Sequence, residues 1–262
     1  KARVRPSSTG DPSMNSNGTD APRLPEARFL TTHWTAVVAA GRNDTTRARM
    51  ALAQLCETYW YPLYVYVRRR GHSLHDAQDL TQEFFARLLA HNWLARADHA
   101  KGRFRTFLLT AMERFLANEW DKVRAQKRGG GQQFVPVQFD AAETRYGVEP
   151  ADDRTPEQAF ERRWALTLLD SVLQQLEAEF RAQGKAELFA ALQPCLVGDR
   201  ERLPYQELAR QSGLSEGAMR VAVHRLRVRY RELLRAEIAN TVASAEEVDA
   251  EMRHLFNVLA GR

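Results

Sequence analysis

The chain is poor in several things, and each scarcity excludes a class of protein. Its 262 residues hold only two cysteines, Cys56 and Cys195, far apart and each inside an apolar helical pattern. That argues for reduced core thiols, not a disulfide framework or a zinc site. No run of 18 apolar residues occurs, and the first 28 residues lack the apolar centre of a secretory signal, so neither membrane insertion nor export is encoded and a cytoplasmic protein is expected. Enzyme motifs are missing too. Gly129-Gly130-Gly131 follows a helical pattern, not a strand, and lacks the lysine and hydroxyl residue of a phosphate-cradling loop. No nucleophile elbow, zinc-protease pair or kinase signature is present. His72, His75 and Asp79 are too few for a metal site, so no catalytic residue, metal or cofactor is expected. Lysine is scarce as well: five among 38 basic residues. Arginine therefore carries the positive charge, and its planar fork suits phosphates and base edges.

What is present is helical period. Residues 1–28 are polar, with Ser, Asn, Gly and Pro, and read as a flexible tail. From Ala48 to Arg70, Leu52, Leu55, Tyr59, Leu63, Tyr66 and Val67 recur at three- and four-residue steps, with Pro62 as an expected kink. Gly71 stops that helix, and a second opens near Ser73, with Leu80, Phe84 and Leu88 as its apolar stripe. A third runs from Phe104 to about Arg128. Residues 129–155 have no helical period, and residues 140–161 hold seven acids against Arg145 and Arg154, which marks an acidic linker. Helical pattern returns at Pro156, with Thr155 as N-cap. The expected fold is all-α: a helical domain over 29–128, a linker over 129–155, a second helical domain over 156–240, and an amphipathic extension over 241–262 carrying Val248, Met252, Leu255, Phe256 and Leu259.

The strongest local signal lies between Pro204 and His224. A short helix to Gln211, a turn at Gly213 and a second helix opening at Ser215 have helix-turn-helix spacing. Ala209 is small where the helices cross, and Leu208, Leu214, Met219 and Ala222 are expected on the buried face. Ser215, Glu216, Gly217, Arg220, Val221 and His224 then point outward. An ordinary helical hairpin with a solvated basic face is the plainer alternative. Charge counts against it: residues 220–235 hold six arginines against Glu232, and residues 101–128 hold eight basic residues against Glu113, Glu119 and Asp121. Two basic surfaces suggest one nucleic acid gripped twice. In the second of these segments Phe104, Phe107 and Phe115 are assigned to packing, and Trp120 is the candidate for stacking on unpaired bases. Asp76, Asp79 and Glu83, at i, i+3 and i+7, form an acidic ridge, either a solvated face or a docking surface for a basic partner.

Three segments, Asp76-Ala77-Gln78-Asp79-Leu80-Thr81-Gln82-Glu83-Phe84-Phe85, Gly102-Arg103-Phe104-Arg105-Thr106-Phe107-Leu108 and Leu214-Ser215-Glu216-Gly217-Ala218-Met219, occur in the order found in bacterial RNA polymerase sigma factors. Over residues 29–240 the chain resembles the extracytoplasmic-function group of the sigma-70 family. The resemblance implies a promoter-specificity subunit whose partners are core RNA polymerase, through the clamp and flap of its large subunits, and promoter DNA. It implies that Asp76, Asp79 and Glu83, with Leu80 and Phe84 beneath, dock on the polymerase. Arg105, Arg114, Trp120, Arg124, Lys127 and Arg128 fall where minus-ten contacts are expected, and Ser215, Glu216, Gly217, Arg220, His224, Arg225 and Arg227 fall on the minus-thirty-five reader. By the same resemblance the acidic linker threads the basic nucleic-acid channels of the polymerase.

Three positions depart from the family pattern. Gln78 stands where many members carry glutamate, Arg114 where asparagine is frequent, and Ala222 where arginine is frequent. An anti-sigma factor or a kinase is a candidate regulator, and Thr81, beside the ridge, is a candidate phosphate acceptor against the plainer reading of an exposed helix threonine. The extension from Thr241 to Arg262 lies beyond the usual end of the family and is expected to pack on the second domain or to bind a partner. The competing functional classes are a stand-alone helix-turn-helix regulator of duplex operators and a protein-interaction adaptor.

Overall fold

A computed structural model of the chain describes residues 46–90, 103–125, 153–197 and 204–261. Of the sequence expectations, the tail over 1–28, most of the linker, and Lys127 and Arg128 lie outside the described residues, and so does the side chain of Arg124. Within them the fold is all-α, with helices α1 (Thr46–Arg69), α2 (Leu74–Ala90), α3 (Phe104–Ala125), α4 (Pro156–Ala182), α5 (Ala186–Leu192), α6 (Tyr205–Gln211), α7 (Glu216–Ala239) and α8 (Ala245–Leu259), and a 3₁₀ turn over Gln193–Leu196.

The helix ends follow from local chemistry. Gly71 leaves α1 at φ +89°, a left-handed conformation that costs glycine nothing. Ser73 then caps α2: its Oγ accepts from the Asp76 amide at 3.2 Å and donates to the Asp76 carboxylate at 2.7 Å. Thr155 and Gln158 form a reciprocal capping box ahead of Pro156, whose missing N–H is no loss in a first turn. Pro62 lies inside α1 without ending it.

Helices α1–α3 and α4–α7 share one core. The described helices belong to one unit, and α1 packs most extensively on α4. The aromatic residues explain why. Tyr59 stands edge-on to Phe104 at 5.0 Å, the Arg163 guanidinium covers the Tyr61 ring at 5.2 Å, and Phe160 and Trp164 are sealed from solvent in the same cluster. Sequence periodicity assigned such rings to the inside of each domain. The physical outcome is a joint interface, since α1 is apolar on more of its circumference than α2 and α3 cover. Cys56 and Cys195 are both buried thiols.

Candidate polymerase- and DNA-binding surfaces

Helix α2 presents the acidic ridge. Asp76 and Asp79 are exposed, Leu80 is half-buried beside them, and Phe84 is fully buried, stacked edge-on against Phe115 of α3 at 5.7 Å. Phe84 therefore fixes the ridge to the bundle and offers no surface of its own. Glu83 is engaged: Arg87 pairs with it and with Glu119 of α3 at 2.6 Å, and lies over the Phe115 ring at 5.1 Å. Burial alone would favour a neutral Arg87, but its hydrogen bonds to Glu119 and Glu83 win and hold its pKa above the ordinary value. Two exposed carboxylates and one tethered carboxylate thus make up the ridge. Thr81, expected at the surface, is instead completely buried, and its hydroxyl has no hydrogen-bond partner among the described residues. Its position three residues before Phe84 and four after Ala77, both buried, turns it inward. A kinase has no access to it in this conformation.

Helix α3 splits the expected minus-ten set. Trp120 is 61% exposed and Arg114 is exposed, while Phe104 and Phe115 are buried and Phe107 is half-buried, as the packing assignment requires. Arg105 differs from Arg114 and Trp120. It is 5% exposed, donates to Glu251 of α8 through Nε at 2.6 Å and Nη2 at 3.3 Å, pairs with Glu161 of α4, and covers the Trp164 ring at 5.1 Å. Desolvation opposes its charge, yet the Glu251 hydrogen bond and the Glu161 charge outweigh it, and its pKa is raised. Arg103 reaches the same carboxylate at 2.9 Å.

Helices α6 and α7 form the helix-turn-helix. Gly213, at φ +66°, closes α6 with a Schellman turn: the Leu214 amide donates to the Ala209 carbonyl at 2.9 Å and the Gly213 amide to the Arg210 carbonyl at 3.4 Å. Ser215 caps α7 by accepting from the Ala218 amide at 3.2 Å. The buried set is Tyr205, Ala209, Met219, Val223 and Leu226. This corrects the expected face: Leu214 is 37% exposed, and Leu208 and Ala222 are only partly covered. Met219, Val223 and Leu226 follow i, i+4 and i+7, the step of a stripe facing inward. Glu216 is half-exposed, and Ser215, Gly217, Arg220, Val221, His224 and Arg225 are exposed. Arg220 is held over the Tyr205 ring at 4.4 Å and bonded to Glu216 at 2.8 Å. Arg227 turns sideways and donates to the Cys195 carbonyl at 2.7 Å.

Glu251, Glu161 and Arg103 were missed as site residues. The signal for Glu251 was legible: it sits three residues after Val248 and four before Leu255, on the apolar face of α8, where a carboxylate requires a partner. The extension does pack back, against α4 and α7, and Asp249 pairs with Arg235 at 2.5 Å. Among the described residues no helix is long and apolar enough to cross a membrane, and no three His, Cys, Asp or Glu side chains gather where a metal ion would be held.

Comparison with known proteins adds a sequence-level result. Residues 55–127, which run from α1 to just past α3, match the family described as Sigma-70 region 2. Over 184 residues the chain is 29% identical to the ECF RNA polymerase sigma factor SigE of Mycolicibacterium smegmatis, covering 70% of this chain and 61% of that protein. The chain thus spans about three fifths of the length of that relative. No solved structure matches.

Proposed function

We propose that the chain, which matches Sigma-70 region 2 and is similar to an ECF RNA polymerase sigma factor, is a member of the extracytoplasmic-function group of the sigma-70 family, a promoter-specificity subunit of RNA polymerase and not an enzyme. In this role α2 docks on the core enzyme through Asp76, Asp79 and Glu83. Arg114 and Trp120 of α3 meet the opened minus-ten strand, and α7 enters the major groove of the minus-thirty-five element through Ser215, Glu216, Gly217, Arg220, His224 and Arg225. The observation that carries the reading is the capped helix-turn-helix, whose second helix exposes Arg220, His224 and Arg225 while Met219, Val223 and Leu226 hold it against the core.

The test is reconstitution with core RNA polymerase and a library of short promoters, read as run-off transcripts. A triple variant, Asp76→Asn, Asp79→Asn and Glu83→Gln, is expected to lose co-elution with the core enzyme, while its affinity for duplex DNA stays within a few-fold. Tight binding to duplex operators with no association with the polymerase would establish the stand-alone regulator instead.

A further inference from the structure

Arginines on one face of α3 are engaged by a carboxylate from the far end of the chain. Arg103, on the residue that precedes α3, and Arg105, in its first turn, share Glu251 of α8 at 2.9 and 2.6 Å, and Glu251 is completely buried. The backbone is tied at the same place, since the Phe104 amide donates to the Thr241 carbonyl at 2.9 Å. Glu161 of α4 pairs with Arg105 and also meets His254 of α8 at 3.0 Å, and the His254 ring lies 6.2 Å from that of Trp164. Two guanidinium groups converging on one pair of oxygens is the arrangement that also holds a phosphate. A carboxylate there occupies the place an oxyanion would take.

We propose that Arg103 and Arg105 form a phosphate-binding pair for a single-stranded DNA backbone, and that Glu251 holds this pair in the resting protein as an internal competitor that must leave before α3 binds nucleic acid. The extension α8 is then a latch: it bridges α3, α4 and α7, and its release frees Arg103 and leaves Arg105 held only by Glu161 and Trp164 of α4, contacts that part as α3 separates from α4 on the DNA. The inference rests on reading α3 as a helix that faces nucleic acid.

The experiment uses the full chain and a fluorescein-labelled, mixed-sequence single-stranded DNA of 20 nucleotides. Glu251→Gln is expected to raise affinity about tenfold, as for a competent fraction rising from roughly one tenth toward one. Glu246→Gln removes the same charge from an exposed position on α8 and is expected to stay within twofold. An equal gain in both variants overturns the proposal in favour of bulk charge.

Should Glu251→Gln fold poorly, spin labels on Thr110→Cys and Gln175→Cys, both exposed, report the α3–α4 separation in an otherwise native chain, since Cys56 and Cys195 are buried. The distance is expected to lengthen when the DNA is added, and an unchanged distance at saturation refutes the latch. Opening by Glu251→Gln without a gain in DNA binding refutes the phosphate pair. The sigma reading is untouched by that result, because it is judged separately by run-off transcription.

Discussion

Replacing Arg105 by alanine is expected to destabilise the folded protein by about 3–5 kcal/mol, the range for breaking a buried ion pair by removing one partner. The site gives the reason. The Arg105 side chain is 6% exposed, its partners Glu251 and Glu161 are 1% and 20% exposed, and its guanidinium also covers Trp164. Truncation leaves Glu251 with Arg103 alone and removes a desolvated cation–π contact worth roughly 2 kcal/mol. At about 2–4 °C per kcal/mol for a domain of this size, the melting temperature falls by about 6–20 °C. Arg220→Ala is the comparison: its pair with Glu216 is of similar length, 2.8 Å, but the two side chains are 59% and 38% exposed. That loss is expected to be small, since water screens an exposed pair one helical turn apart. Urea denaturation followed by circular dichroism measures both, and a double-mutant cycle with Glu251→Ala is expected to return a coupling of about 0.5–3 kcal/mol. If Arg105→Ala falls within about 0.5 kcal/mol of Arg220→Ala, the network is open to water and the burial argument is wrong.

Two further predictions concern local structure and pH. Ser215→Ala removes the cap of α7 and is expected to cost about 1 kcal/mol, whereas Ser215→Gly costs only a few tenths; amide exchange in the first turn of α7 reads the difference, and equal effects would show that the cap contributes nothing. Burial pushes the Tyr66 hydroxyl up to about 12 and that of Tyr230 to about 12, and burial with the Glu251 charge carries Tyr59 higher still. The unfolded tyrosines ionise near 10, so they release protons first. Stability is intact below that pH and falls as pH rises through the folded values, with a limiting slope of about 1.4 kcal/mol per pH unit for each tyrosine. Denaturation midpoints that stay flat from about pH 9 to 11.5 would contradict the burial of these hydroxyls, and Tyr66→Phe is expected to reduce the slope.

Much of the fold was legible because its signals are local. Gly71, Ser73, Thr155, Gly213 and Ser215 mark helix ends through backbone conformation and capping, which depend on neighbours within four residues. The joint core and the role of Arg105 were not, because both are settled by contacts across 56 and 146 residues of chain. Arg105 precedes Leu108 and Met112 by three and seven residues, so helical period alone places it on the apolar face of α3. A basic residue there is informative once it is asked which carboxylate answers it, and Glu251, on the apolar face of α8, is the complementary clue. Thr81 was misassigned for a related reason: it was read as an exposed residue beside the acidic ridge, whereas burial follows its spacing from Ala77 and Phe84.

Charge counted along the chain also differs from charge offered to a partner, and on α7 the difference is testable. Of the six arginines over residues 220–235, Arg220, Arg229 and Arg235 pair with carboxylates and Arg227 is bonded to a carbonyl, so the count of +5 overstates the field facing outward. Glu179 and Arg229, bound at 2.6 Å, hold α7 to α4, and the hydrogen bond to Arg229 keeps the Glu179 carboxyl below its usual range. Arg225 and Arg231 are exposed and carry no ion pair among the described residues. Arg231 lies seven residues after His224 and eleven after Arg220, so helical period places it in line with the proposed groove-facing residues. Arg231→Ala is therefore expected to weaken binding uniformly across duplex sequences and to reduce the salt slope by about 0.9, one phosphate contact. Arg229→Ala should leave that slope unchanged while loosening α7 from α4. If the two substitutions alter the salt slope equally, ion pairing within the protein does not decide which arginines reach the DNA.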